Sequence, residues 1–491
     1  METTPEVETT PLSVGVDSNQ PSTIEVLKNA PFMLLLSAQF TQNIGAAVSW
    51  LAMQFLFFKL TGSPGIMGLL SIVFWLPYVI FTPFAGVLVD RYDQRKIMLY
   101  SNFLSFIASV GFIFVYLFKD QLFLHEFVTV ITDSGNTIIQ DVVNPIYVIW
   151  LMFVLTFINS SAASVFFPAR NAYTRLIVKK KNLLKANSIA STIYQVATIV
   201  GYVLAGILAG ISYLGSFIFD ASTFAFSLTM IIFLIVVGRK SPDVERAEEH
   251  TFRAQLSGVY DDLIIGYRTI RSAPKITYML IVFASAIFSF SAFNVLFIII
   301  LQGEMGLNET WYGILQSVMG ISGIITTLIL MSIGVIKKKI ALLNYSLIGA
   351  TLFLVFFAFV RNVWGIGALL LVFGVVIAII NVSAPTLIQE QIPYEKQGRV
   401  FGTQQMIQGI ARLVGMGIVS VIVEIDVVLP MYILFVAAGI LAIIMVWGLI
   451  YSNRSGVSGE DYEEISQELI TTATSSSAAQ ITPGSSKVPE N

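Results

Sequence analysis

The 491-residue chain has no cysteine, and its two histidines, His125 and His250, stand far apart in sequence. These absences exclude disulfides, thiol catalysis and Cys-ligated metal, and they leave no basis for a His-rich metal site or a Ser-His hydrolase triad. Charge is scarce too. Asp, Glu, Lys and Arg make up 12% of residues, against about 25% in an ordinary globular protein. A formal net charge of -2 with no clustered basic face gives no electrostatic case for nucleic acid. No set of nucleophile, base and metal can be assembled, so the chain reads as neither an enzyme nor the holder of a cofactor.

Apolar residues are what the chain does contain. They make up 56% of it, and the mean hydropathy of +0.80 calls for lipid around the fold. A helix crosses the bilayer core with about 20 mostly apolar residues. Twelve segments meet that length: 31–58, 66–89, 97–118, 146–167, 187–210, 216–237, 277–301, 311–334, 341–360, 365–388, 402–424 and 430–451. The two-residue alternation of an outer-membrane barrel is absent from these runs, and in lipid only helices then satisfy the backbone. The expected fold class is an all-α integral membrane protein of twelve transmembrane helices.

Orientation is read from the 28 Lys and Arg, because cytoplasmic loops keep the positive charge. With both termini in the cytoplasm, only Lys59, Lys119 and Arg361 fall on the outer side, and Arg412 falls within a span. Residues 1–30 and 452–491, rich in Ser, Thr and Glu, read as disordered cytoplasmic tails. Residues 1–30 also lack a basic stretch ahead of an apolar run, so no cleaved signal peptide is expected. Residues 31–237 and 277–451 each hold six spans. Between them, 238–276 carries Leu256, Tyr260, Leu263, Ile264, Tyr267 and Ile270 at helical spacing, which suggests an amphipathic helix on the inner membrane surface. On the outer side, 119–145 places two alternating runs around Asp133-Ser-Gly-Asn136 and reads as a β-hairpin.

The knot between the second and third spans, Gly86 to Lys96, holds Asp90, Arg91, Asp93, Arg95 and Lys96 in eleven residues. Its Gly86, Leu88, Asp90, Arg91, Arg95 and Lys96 resemble the signature Gly-x-Leu-Ala-Asp-Arg-x-Gly-Arg-Lys-Lys of the major facilitator superfamily of secondary transporters, with Asp93 and Gln94 departing from it. Phe167-Pro-Ala-Arg-Asn-Ala-Tyr, Lys185-Ala-Asn-Ser, Gln389-Glu-Gln-Ile-Pro and Gly398-Arg-Val-Phe-Gly resemble the branch with macrolide-efflux and siderophore-export proteins. The resemblance covers about residues 31–451. It implies two pseudo-symmetric six-helix bundles, alternating access to a midplane cavity, and a cytoplasmic gate at Gly86, Asp90, Arg91, Arg95 and Lys96. A small-molecule substrate, protons or another coupling ion, the cytoplasmic membrane and a monomeric state go with it.

Other departures bear on coupling. Drug/proton antiporters of the superfamily carry an Arg in the fourth helix, whereas the run Ile146 to Phe167 has none, and the first span has no carboxylate. The candidate cavity residues are Gln39, Asn43, Trp50 and Gln54 on one face of the first span, Asn159 in the fourth, Asn294 in the seventh, Asn381 in the tenth and Arg412 in the eleventh. Any one amide could equally glue two helices. An ionisable residue within a span, such as Arg412, is a functional hypothesis by default, with a structural pair as the alternative. Asp220 reads as structural. The leading expectation is export of a bulky amphipathic molecule of macrolide or siderophore type. An importer or facilitator of a nutrient, or a non-transporting sensor or scaffold on the same fold, remains the alternative.

Overall fold

The computed structural model describes residues 23–131, 137–179, 182–238, 264–333, 339–392, 394–425 and 429–454. Twelve long helices run through them. The first six are α1 (Ala30–Thr61), α2 (Pro64–Arg91), α3 (Gln94–Leu117), α4 (Ile146–Ile177), α5 (Leu183–Ile211) and α6 (Tyr213–Val237). The second six are α7 (Pro274–Ile298), α8 (Glu309–Ile333), α9 (Lys339–Phe359), α10 (Val363–Gln391), α11 (Tyr394–Ile425) and α12 (Leu429–Arg454). Eleven are long and apolar enough to span a bilayer, and α12 contains a further apolar stretch, Tyr432–Ile444. The short links between helices are fixed by side-chain caps, which satisfy N–H groups that lipid could not. Asn29 accepts from Phe32 N, Ser63 from Ile66 N, Ser212 from Gly215 N and Asn362 from Gly365 N. Gly62, at φ 62°, closes α1 in the left-handed conformation.

The order of packing repeats between halves. In the first half α1 packs on α5 and α6, α2 on α4, and α3 on α4 and α6. In the second, α7 packs on α11 and α12, α8 on α10, and α9 on α10 and α12. Advancing each label by six converts one set into the other, which is the parallel repeat expected of such a bundle pair. Two main seams join the halves, α5 against α8 and α2 against α11, and the same shift exchanges them.

Among the described residues, 124–131 and 137–144 are the exception to an otherwise helical architecture. β1 (Leu124–Ile131) and β2 (Thr137–Asn144) form an antiparallel pair with Leu124 opposite Asn144 and Ile131 opposite Thr137. The expected hairpin is present, while its turn at Asp133 to Asn136 lies outside the described residues. The hairpin marks one end of the bundle. The opposite end, with the link at 92–93 and the end of α4 at 177, is called the terminal side below.

Within the stretch expected as an N-terminal tail, Thr23–Leu27 is a helical turn. Glu25 pairs with Lys179 Nζ at 2.5 Å and accepts from Asn182 Nδ2 at 2.8 Å, and Val26 is buried. Residues 264–271 are helical, with Ile270 buried and Tyr267 exposed. Leu256, Tyr260 and Leu263 of the expected amphipathic helix lie outside the described residues.

Candidate functional site

The seams set the shape of the space between the halves. Along α5 and α8, a Cβ on Gly313 would lie 2.6 Å from Tyr202 O and 2.7 Å from Gly206 Cα, so the two backbones touch. Toward the hairpin end Thr310 Oγ1 donates to Gly206 O at 3.3 Å, and Tyr213 Oη donates to Glu309 Oε1 at 2.6 Å. Lys59 Nζ sits 5.7 Å from the Tyr213 ring centroid, adding a cation beside that pair. Along α2 and α11, Gly68 lies against Ser420, Ile72 against Gly417 and Val79 against Gly409. These close approaches run from mid-helix to the hairpin end. Tyr194, nearer the terminal end of α5, is 44% exposed.

Arg412 reaches from the seam helix α11 across to α2. It lies past the midpoint of α11, deeper than a span beginning at 402 implied, because the helix starts at Tyr394. Its guanidinium carbon is 3.9 Å from the Trp75 ring centroid on α2. Tyr194 and Tyr202 of α5 stand within electrostatic range of the same group. The guanidinium therefore addresses helices from both seams. Among the described residues it has no hydrogen-bond acceptor and no carboxylate partner, so the structural-pair alternative finds no support there.

Arg170 corrects the reading of the fourth span. The fourth span expected from hydrophobic length ends at Phe167, one residue before Pro168. In the structure α4 continues through Pro168 to Ile177 and carries Arg170, as helices in lipid tolerate proline. Arg170 lies 5.5 Å over Phe167, is held by Asn171 Oδ1 at 2.6 Å and 3.2 Å, and is also within range of Tyr194. The expected absence of an arginine from this helix therefore fails.

The remaining cavity candidates divide. Trp50 joins the Arg412 site through Phe74: the Trp50 and Phe74 rings are 4.5 Å apart, and Phe74 and Trp75 are 5.3 Å apart. Gln39 Oε1 and Asn43 Nδ2 are buried without hydrogen-bond partners among the described residues. Gln54 is buried and donates to Ser71 Oγ of α2 at 3.5 Å, a helix-to-helix contact. Asn159 is half-buried. Asn294 is exposed and donates back to Phe290 O of its own helix at 3.1 Å, and Asn381 is exposed. Neither is brought to Arg412. Tyr194, Tyr202, Trp75 and Arg170 were not singled out from sequence; the aromatic hydroxyls spaced along α5 were the available signal.

In the knot, Gly86, Asp90 and Arg91 lie on the last turns of α2, and their side chains fall outside the described ones. Arg95 and Lys96 open α3, Arg95 buried and Lys96 exposed. The two departures from the superfamily pattern close helix ends. Gln94 Nε2 donates to Val89 O of α2 at 2.8 Å, and Asp93 Oδ1 accepts from Arg95 N at 3.0 Å. Arg95 Nη2 meets Asp93 Oδ2 at 2.8 Å, and Nη1 donates to Ile235 O and Gly238 O at the end of α6, both at 3.2 Å. Burial pushes the Asp93 carboxyl upward, but the Arg95 hydrogen bonds and the charges of Arg95 and Lys96 outweigh it and hold the group below its ordinary 3.8.

Two six-helix bundles that repeat one packing order, joined along two seams around a central polar site, define a multi-pass membrane transporter. The sequence model of the Major Facilitator Superfamily matches residues 35–416. The chain belongs to that superfamily. It is similar to Macrolide efflux protein A of Streptococcus pyogenes, 23% identical over 392 residues that cover 78% of this chain and 87% of that protein. In fold it is similar to a bacterial homologue of the iron transporter ferroportin in its inward-facing state, with TM-score 0.65 at 15% identity, covering 88% of this chain and 99% of that one. It is also similar to the nucleoside transporter NupG, with TM-score 0.60 at 14% identity over 86% and 98% of the two chains.

Proposed function

We propose that this transporter works by alternating access and exports a bulky amphipathic small molecule across the cytoplasmic membrane, with both termini in the cytoplasm. The observation that carries the reading is the placement of the Arg412, Trp75 and Tyr194 site between halves whose seams close toward the hairpin end. Closure at one end and an exposed Tyr194 at the other fit an inward-facing state in which cargo enters from the terminal side. The terminal side is assigned to the cytoplasm because the opposite side receives only Lys59, Lys119 and Arg361. Export is favoured over uptake by the likeness to a macrolide efflux protein. Gly86, Asp90, Arg91, Arg95 and Lys96 form the cytoplasmic gate that closes when the hairpin end opens, and protons or another ion supply the coupling.

The test is flux in vesicles of known orientation. Inside-out vesicles carrying the protein should accumulate a fluorescent amphipathic cargo when an ion gradient is imposed, and Asp90→Asn should slow it. Uptake confined to right-side-out vesicles would reverse the assigned direction, and no flux in either orientation would remove the transport reading.

A further inference from the structure

Arg412 presents an unusual combination. One face of its guanidinium lies on Trp75 at 3.9 Å, an arrangement that satisfies the π face of the cation but leaves its in-plane N–H groups free. Those five donors have no acceptor among the described residues. A cation at this depth is costly when it has no partner. A second cation, Arg170, and the Tyr194 hydroxyl lie on the terminal side of it, both within electrostatic range of one another. Trp50, Phe74, Trp75 and Tyr78 form a continuous aromatic wall, with successive ring centroids 4.5, 5.3 and 5.5 Å apart.

Among the described side chains the nearby supply of negative charge is small. Asp220 is buried in the first half and accepts from Ser109 Oγ at 2.7 Å. Glu309 is engaged by Tyr213 at the hairpin end. Neither reaches the arginines. Among the described side chains the site is therefore positive and aromatic, the reverse of a site for a cationic drug, in which carboxylates face aromatic rings.

We propose that the cargo of this site is a planar aromatic anion, an aromatic carboxylate or sulfonate, whose charged group takes paired N–H donors from Arg412 while its ring packs on the Trp50 to Trp75 wall. The proposal rests on the transport reading only for why such a site should lie between the halves. The contact is charge-assisted and bidentate, which favours a carboxylate or sulfonate over a neutral group of the same shape.

The test uses purified full-length protein in nanodiscs and three probes that share one ring system: 1-naphthalenesulfonate, 1-naphthalenemethanol and 1-naphthylmethylammonium. Calorimetry should give the sulfonate at least tenfold tighter binding than either of the others. Arg412→Gln should weaken the sulfonate tenfold or more and leave the alcohol within twofold, Arg412→Lys should fall between, and Trp75→Leu should weaken all three. The ligand series on the unaltered protein decides the matter if a variant does not fold. Equal or tighter binding of the ammonium or the alcohol, or a folded Arg412→Gln that binds the sulfonate as before, would overturn the proposal. Sulfonate binding with no vesicle flux would instead count against transport alone, and flux of a neutral amphiphile with no sulfonate preference would count against this inference alone.

Discussion

Tyr213 at the start of α6 donates a 2.6 Å hydrogen bond to Glu309 at the start of α8, tying one half of the molecule to the other at the hairpin end. A hydrogen bond to a charged acceptor contributes about 1.5–3 kcal/mol, and about 1.4 kcal/mol is a tenfold change in an equilibrium. Tyr213→Phe and Glu309→Gln are each expected to raise the population open at the hairpin end by roughly tenfold, somewhat less if solvent screens the pair. Electron–electron distance measurements between spin labels on the hairpin-side ends of α5 and α8 read this directly, and the chain has no native cysteine to interfere. Unchanged distance distributions in both variants would show that the bond does not hold the seam.

Gly313 offers a steric version of the same test. A Cβ there meets backbone on α5 at 2.6 and 2.7 Å, where no side chain can yield. Gly313→Ala should force the α5–α8 seam apart at a cost of about 1–3 kcal/mol, with transport reduced and hairpin-end labels further apart. Gly439, where a Cβ meets nothing within 4 Å, should tolerate the same change.

Asp93 carries two separable roles, capping α3 and pairing with Arg95. Asp93→Asn keeps the cap and loses the charge; Asp93→Ala loses both, with about 1 kcal/mol from the cap alone. Thermal melting should rank wild type above Asn and Asn above Ala. Because the carboxyl is held below its ordinary 3.8 in the folded state, its contribution is fully present above the unfolded value and is lost as the pH falls through the lower folded one. The gap between wild type and Asp93→Asn should therefore be constant near neutrality and close only in strong acid.

Asp220 is fully buried where α6 meets α1 and α3, with Ser109 donating to Oδ2 at 2.7 Å and Gly45 and Thr223 packed beside it. Asp220→Asn, of the same shape, should melt close to wild type. Asp220→Ala should lose about 1–3 kcal/mol by leaving the buried Ser109 hydroxyl unpaired. Equal melting of all three would contradict a structural role.

Much of this architecture could be read from the chain because hydrophobic length is a local property: a run such as 216–237 must cross a bilayer wherever its neighbours lie. The hairpin was legible for the same reason, from alternation around a Gly/Asn turn. The site was legible only in part. Arg412 and Trp50 stood out as a charge and an aromatic within apolar runs, but their meeting through Phe74 and Trp75 depends on how α1, α2 and α11 pack, which no spacing within one helix encodes. Hydrophobic length ends the fourth span at Phe167, whereas a packed membrane helix continues through Pro168 and carries Arg170. Asp93 and Gln94 read as lapses from a motif, whereas each closes a helix end. Asn294 and Asn381 were reasonable amides by position, and in the structure both are exposed, Asn294 bonding back to its own helix.

The central claim is that the hairpin-end seam must open for cargo to cross. A Cβ on Gly210 would lie 2.7 Å from Thr310 Oγ1 across that seam, so Gly210→Cys with Thr310→Cys places the chain's only two thiols in reach of one another. The decisive measurement is vesicle flux of this double variant before and after oxidation and again after reduction. The account predicts active transport in the reduced protein, loss of at least nine-tenths of it, roughly the tenfold step of a bound seam, in the cross-linked protein, and recovery with reductant. Full transport through a quantitatively cross-linked seam would contradict it.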